Sequence, residues 1–203
     1  MSDELIVPFI VGERMEELFR SYLLAIDEVN PFVEISFKMS NGNAYAIIDD
    51  ILSLLIQAYK KGISDITIML GYDLSVDVDR MYKAIYESIE GKTFEDRVHD
   101  HLANGDLKGL QSLAESEWHR VYIIAMEDGA EEYIQERDAG VVKTWFTVGD
   151  ELVRETHAEL HGVTIPIEEE FWTSDGDHAS APGRFRLAKN NAKCRCWIVF
   201  SAT

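Results

Sequence analysis

Ala139-Gly140-Val141-Val142-Lys143-Thr144-Trp145-Phe146-Thr147 is the stretch on which the fold turns. Before it, Leu107, Leu110, Leu113, Val121, Tyr122, Ala125, Tyr133 and Ile134 keep a helical period as far as Ala139-Gly140. After it the texture changes. Val141 to Phe146 reads as a strand, and Thr147 to Leu160 as a helix that Gly162 terminates in the left-handed region. Val163 to Ile167 is extended, Glu168 to Gly183 is an acidic loop containing Gly and Pro, and Cys194 to Phe200 reads as a last strand. A long helix that gives way to a strand-helix-strand tail predicts an α+β protein.

Upstream, Met15, Leu18, Phe19, Tyr22, Leu23 and Ile26 lie on one helical face, and Pro31 stops that helix. Val33, Ile35, Phe37 and Met39 alternate with polar residues, the period of a half-buried strand. Asn41-Gly42-Asn43 is a turn and a cap for a second helix through Tyr45, Ile48, Leu52, Leu55, Ile56 and Tyr59, closing near Gly62. Ile66 to Leu70 is apolar without a deciding period. Ser75 to Asp79 offers caps for a helix bearing Met81, Tyr82, Ile85 and Ile89, ended by Gly91. Thr93 with Asp96 resembles a capping arrangement for a short helix stopped at Asn104-Gly105. The expected organisation is a mostly helical region with one short strand over residues 1–105 and a small mixed α/β domain over residues 106–203.

The 203 residues are 46% hydrophobic, enough to build a packed core and to exclude wholesale disorder. With 37 acidic against 19 basic side chains the formal net charge is −18, which disfavours non-specific binding to nucleic acid. A local exception runs from Arg184 to Thr203, where Arg184, Arg186, Lys189, Lys193 and Arg195 occur with no acid among them. These residues either contact a partner or DNA, or balance the acidic loop that precedes them; the internal balance is favoured. Met1-Ser2-Asp3-Glu4 lacks the features of a signal peptide and no apolar run reaches membrane-spanning length, so a reducing cytoplasm is expected.

The tail also carries the residues with chemistry. On a helix, Asp150, Arg154, His157 and His161 would form one stripe, since their spacings are three and four. On a strand, Cys194 and Cys196 would face one side; they are too close in sequence to make a good disulfide staple. His157, His161, Cys194 and Cys196 together could form a tetrahedral zinc site. The simpler expectation is a metal-free core in which His157 hydrogen-bonds the cysteine strand. An Arg and a His near an acid also suit phosphate chemistry, but no Walker loop, nucleophile elbow, zincin helix or dinucleotide fingerprint accompanies them. Trp118-His119-Arg120 and Trp145 are expected in the core, and Trp172, beside the acidic run Glu168-Glu169-Glu170, is expected at the surface as a partner anchor.

Taken in order, Lys143-Thr144-Trp145-Phe146-Thr147, Asp150, Val153-Arg154, His157, Leu160, Gly162, Phe171, Pro182-Gly183 and Cys194-Arg195-Cys196 resemble the signature of the Mu F-type phage head morphogenesis family. Glu90-Gly91-Lys92 with Arg97, and Glu117 with Arg120, extend the resemblance upstream, so that it runs from about Glu90 to Val199. Leu152, His161, Lys193 and Ile123 depart from the family's usual Arg, Asp, Asn and Asn. The resemblance implies a minor capsid protein that acts at the portal in head assembly, and in DNA packaging or ejection, by binding and not by turnover. Its implied partners are the portal protein, the major capsid protein and packaged DNA. Its implied places are the host cytoplasm during assembly and the virion head. Asp150, Arg154, His157, Cys194 and Cys196 become the structural cluster of the tail. The rival reading is a toxin-like nuclease or other enzyme on the same tail. Some relatives carry a toxin domain after the cysteine strand, whereas here Thr203 lies seven residues past Cys196 and no such domain is expected.

Overall fold

The computed structural model describes residues 13–203; the Met1–Glu4 reading lies outside the described residues. Six helices lead into a small antiparallel sheet, as an α+β chain requires. The first, α1 (Glu13–Asp27), buries Leu18, Phe19, Tyr22 and Ile26, one stripe of an amphipathic helix.

The expected strand at Val33–Met39 is instead a helix, α2 (Val29–Met39). Its buried residues, Val29, Val33 and Ser36, follow helical spacing, while Ile35 and Met39 are exposed. Pro31 is the third residue of this helix, where a backbone N–H has no partner within the helix, so its ring is tolerated there. The alternating apolar pattern fits either period, and packing of α2 on the longest helix selects the helical one.

Asn43 caps α3 (Ala44–Leu70) by accepting from the N–H groups of Tyr45 and Ala46. This helix does not close at Gly62. It runs through that residue to Gly71, whose φ of 63° ends it in the left-handed region. Gly62 is instead a contact point with α6 (Leu107–Arg137): a Cβ built there would lie 2.5 Å from the Tyr122 carbonyl oxygen and 2.7 Å from Ala125 Cβ. Asp128 accepts from Tyr59 and Asp65 from Tyr122, so the two helices run antiparallel. Between them lie α4 (Val78–Tyr86), capped by Asp77, and α5 (Phe94–Ala103), which opens on a complete capping box of Thr93 and Asp96.

The sheet has β1 (Val141–Phe146) at its centre, with β2 (Thr164–Pro166) on one side and β5 (Trp197–Ala202) on the other, all antiparallel. Val141, Lys143 and Trp145 share the inward face of β1. The acidic loop contains a short hairpin of β3 (Phe171–Trp172) and β4 (His178–Ala179).

The expected helix over Thr147–Leu160 shrinks to α7 (Glu155–Ala158). Gly149 has a φ of 74°, and the Asp150 carboxylate accepts from the N–H of Leu152, so local turn chemistry displaces the first two helical turns. A second short helix, α8 (Ala188–Asn191), precedes the cysteines. Cys194 and Cys196 lie just before β5 and not within it.

Candidate functional site

The turn at Lys193, with a φ of 53°, brings the Cys194–Cys196 segment back against α7. Cys194 Sγ lies 3.7 Å and Cys196 Sγ 3.5 Å from His157 Nδ1. The three ligand atoms fall within 4.8 Å of one another, and all three residues are buried. Phe185 stacks on the His157 ring at 5.1 Å, and Trp145 meets it edge-on at 5.6 Å. Asp150 pairs with Arg195, and the Arg154 guanidinium donates to the Ala192 carbonyl, so both hold the cysteine segment from outside. Asp150, Arg154, His157, Cys194 and Cys196 thus lie together around the turn before β5.

His161 does not join them. Its Nδ1 accepts from the Thr147 N–H at 3.2 Å and lies 3.0 Å from the Thr147 hydroxyl, and its ring meets Phe146 edge-on. The stripe that would have carried it toward His157 requires a long helix, and α7 has four residues. The sets brought together are thus His157 with the two cysteines, and His161 with Thr147.

The cysteine pair is electrostatically asymmetric. The contact with Cys196 pulls the Cys194 thiol well below its usual range, against the effect of burial, with help from His119 and His157. The same contact and burial push Cys196 well above it.

Several buried polar side chains have partners that the sequence did not specify. His119, 1% exposed, shares a hydrogen bond of 2.8 Å between its Nδ1 and the Tyr22 hydroxyl, a link across 97 residues that no local pattern signals. Lys143 is fully buried, with its ammonium 5.7 Å from the Phe171 ring, and burial lowers its pKa. Its strand position, two residues before Trp145, is the available clue to its inward direction. Asp177 gathers four hydrogen bonds, from the N–H groups of His178, Arg186 and Leu187 and from Asn190 Nδ2. Burial opposes its ionisation, but these donors outweigh it and the carboxyl titrates below its ordinary value.

Glu117 and Arg120 of α6 form a buried ion cluster. Arg97 and Arg120 both donate to the Glu117 carboxylate, at 2.7 Å and 2.8 Å, and Arg120 also reaches Glu87 and the Ala84 carbonyl. The basic segment is partly neutralised within the fold: Arg184 lies 3.7 Å from both Glu87 and Glu127, Lys189 pairs with Asp175, and Arg195 with Asp150. No ion pair within 4.0 Å joins Arg186 or Lys193 to an acid among the described residues. Trp172 is 62% exposed and stacks on His178, beside Glu168, Glu169 and Glu170.

Over 112 residues the chain is 30% identical to NAD(+)--arginine ADP-ribosyltransferase EFV of Enterococcus faecalis (strain ATCC 700802 / V583), covering 54% of this chain and 23% of that protein. Over 104 residues it is 30% identical to minor head protein GP7 of Bacillus phage SPP1, covering 51% of this chain and 33% of that one. The alignments thus span a third or less of these curated relatives. No solved structure matches the chain. The model of the family described as Phage Mu protein F like protein matches residues 78–199, from the first residue of α4 into β5, and takes in Glu117, Arg120, His157 and both cysteines. The chain belongs to the Phage Mu protein F like family.

Proposed function

We propose that the protein is a phage minor head protein that binds at the portal during capsid assembly, with a part in DNA packaging or ejection, and that it acts by binding. The observation that carries this reading is membership of the Phage Mu protein F like family, together with 30% identity over half of the chain to a minor head protein. The character of the site supports it. His157 is 1% exposed and both cysteines are under 5%, which suits a cluster that locks the tail and leaves no room for a substrate at the imidazole. The net charge of −18 favours a protein partner with basic surface over bare DNA. Exposed Trp172, set in an acidic hollow, supplies an aromatic anchor for such a surface. The protein would be found in the host cytoplasm during assembly and then in the virion; among the described residues no helix is long and apolar enough to cross a membrane.

Co-expression with the portal protein encoded beside it tests the proposal. The expected result is co-purification and incorporation into assembling heads; absence from both removes the proposal. The similarity to the Enterococcus transferase motivates a second reading, an enzyme built on the same tail. Transfer of ADP-ribose from NAD, or nucleic-acid cleavage, that is lost in a folded His157→Ala variant would establish it instead.

A further inference from the structure

We propose that His157 Nδ1, Cys194 Sγ and Cys196 Sγ hold a single zinc ion. The three atoms come from two segments, α7 and the turn before β5, and lie within 4.8 Å of one another in a buried setting. Zinc bonds of about 2.3 Å to sulfur and about 2.05 Å to nitrogen, set at tetrahedral angles, place nitrogen and sulfur roughly 3.6 Å apart. The observed separations are 3.5 Å and 3.7 Å. One imidazole nitrogen offers a single lone pair or a single proton, yet here it is nearly equidistant from two sulfurs. Hydrogen bonding satisfies one of those contacts, whereas a metal at their common centre satisfies both.

A further feature fits. A cavity of about 10 Å³ adjoins the three residues and is bounded by Val148, Leu152, Val153, Arg154, Lys193 and Arg195. It approaches the size needed for one water, which would complete four-coordination. His161, the fourth ligand suggested by sequence spacing, is engaged with Thr147 and takes no part. The pair of thiolates and the neutral imidazole leave a site of no net charge once zinc is bound, which suits burial.

The test uses the full chain purified without chelator or metal-affinity steps. Elemental analysis is expected to find equimolar zinc, and reconstitution with Co(II) to produce a thiolate-to-cobalt charge-transfer band. Cys194→Ser, Cys196→Ser and His157→Ala should each lose the metal. Because these variants remove buried groups and can fail to fold, the wild-type protein supplies an independent readout. Its two thiols should resist alkylation until a chelator is added and then react. Substoichiometric zinc with no cobalt band, or alkylation at equal rates with and without chelator, overturns the proposal.

Discussion

Replacing Gly62 by Ala tests the central helix contact directly. Gly62 lies in the middle of α3, and an ideal Cβ there would meet the backbone oxygen of Tyr122 at 2.5 Å and Ala125 Cβ at 2.7 Å. Ordinary contacts between non-bonded carbons are about 3.5–4.0 Å, so α3 and α6 must move apart by roughly 1 Å. A backbone oxygen within a 31-residue helix has no rotamer by which to yield. Overpacking of this kind costs about 3 kcal/mol, at the upper end of the usual range. The intrinsic preference of a helix for Ala over Gly returns about 1 kcal/mol. The net expectation is a loss of about 2 kcal/mol, or a fall in melting temperature of roughly 4–8 °C for a chain of this size. Urea and thermal unfolding followed by circular dichroism measure it. Gly129→Ala is the control: its nearest neighbours are side-chain carbons of Ile66, Leu74 and Ile63, at 2.6, 3.2 and 3.5 Å, which can adjust, so its cost should be smaller. An unchanged or raised melting temperature in Gly62→Ala would refute the close-contact argument and leave only the gain in helix propensity.

Two further outcomes follow from buried charges. In Glu117→Gln the guanidinium groups of Arg97 and Arg120 lose their shared carboxylate, and a destabilisation of about 3–5 kcal/mol is expected in equilibrium unfolding. Burial alone would raise the Glu117 pKa, but the two arginines hold it below 4.5; its contribution is complete above that ordinary value and is lost as the pH falls through the folded one. Asp177 behaves in the same sense below 3.8, and Asp177→Asn should flatten the acid limb of a plot of melting temperature against pH while lowering stability at neutral pH.

Local signals were legible in the sequence and long-range ones were not. Asn43, Asp77 and the pair Thr93–Asp96 cap their helices through neighbours two or three residues away, so spacing suffices to find them. Val33 to Met39 satisfies two periods, and only contact with α6 decides between them. Gly62 has the composition of a terminator, yet its role depends on Tyr122 and Ala125, sixty residues on. In the tail, the C-x-C spacing and His157 were legible as a group, while the four-residue spacing to His161 implied a helix that Gly149 and Asp150 dissolve. The partners of His119 and Lys143 were hidden for a different reason. A polar side chain on an inward face looks like any other until its partners from distant elements, Tyr22 and Phe171, are in place.

Distant partners also anchor the segment that bears the cysteines. Trp197, the residue after Cys196, donates from Nε1 to the Tyr122 hydroxyl, which donates to Asp65, which Lys61 neutralises. Phe19 and Tyr22 of α1 lie 5.2 Å and 6.4 Å from the Trp197 ring, and Tyr22 reaches His119. The segment bearing the cysteines is therefore tied to α1, α3 and α6 by one continuous seam of aromatic rings and hydrogen bonds. The three ligand atoms come from two short segments, α7 of four residues and an irregular turn, which the Asp150–Arg195 pair and the Arg154 contact with the Ala192 carbonyl also hold together. The contacts of His157 with Cys194 and Cys196 join the two segments, and Trp197 carries that join to α1 and α6.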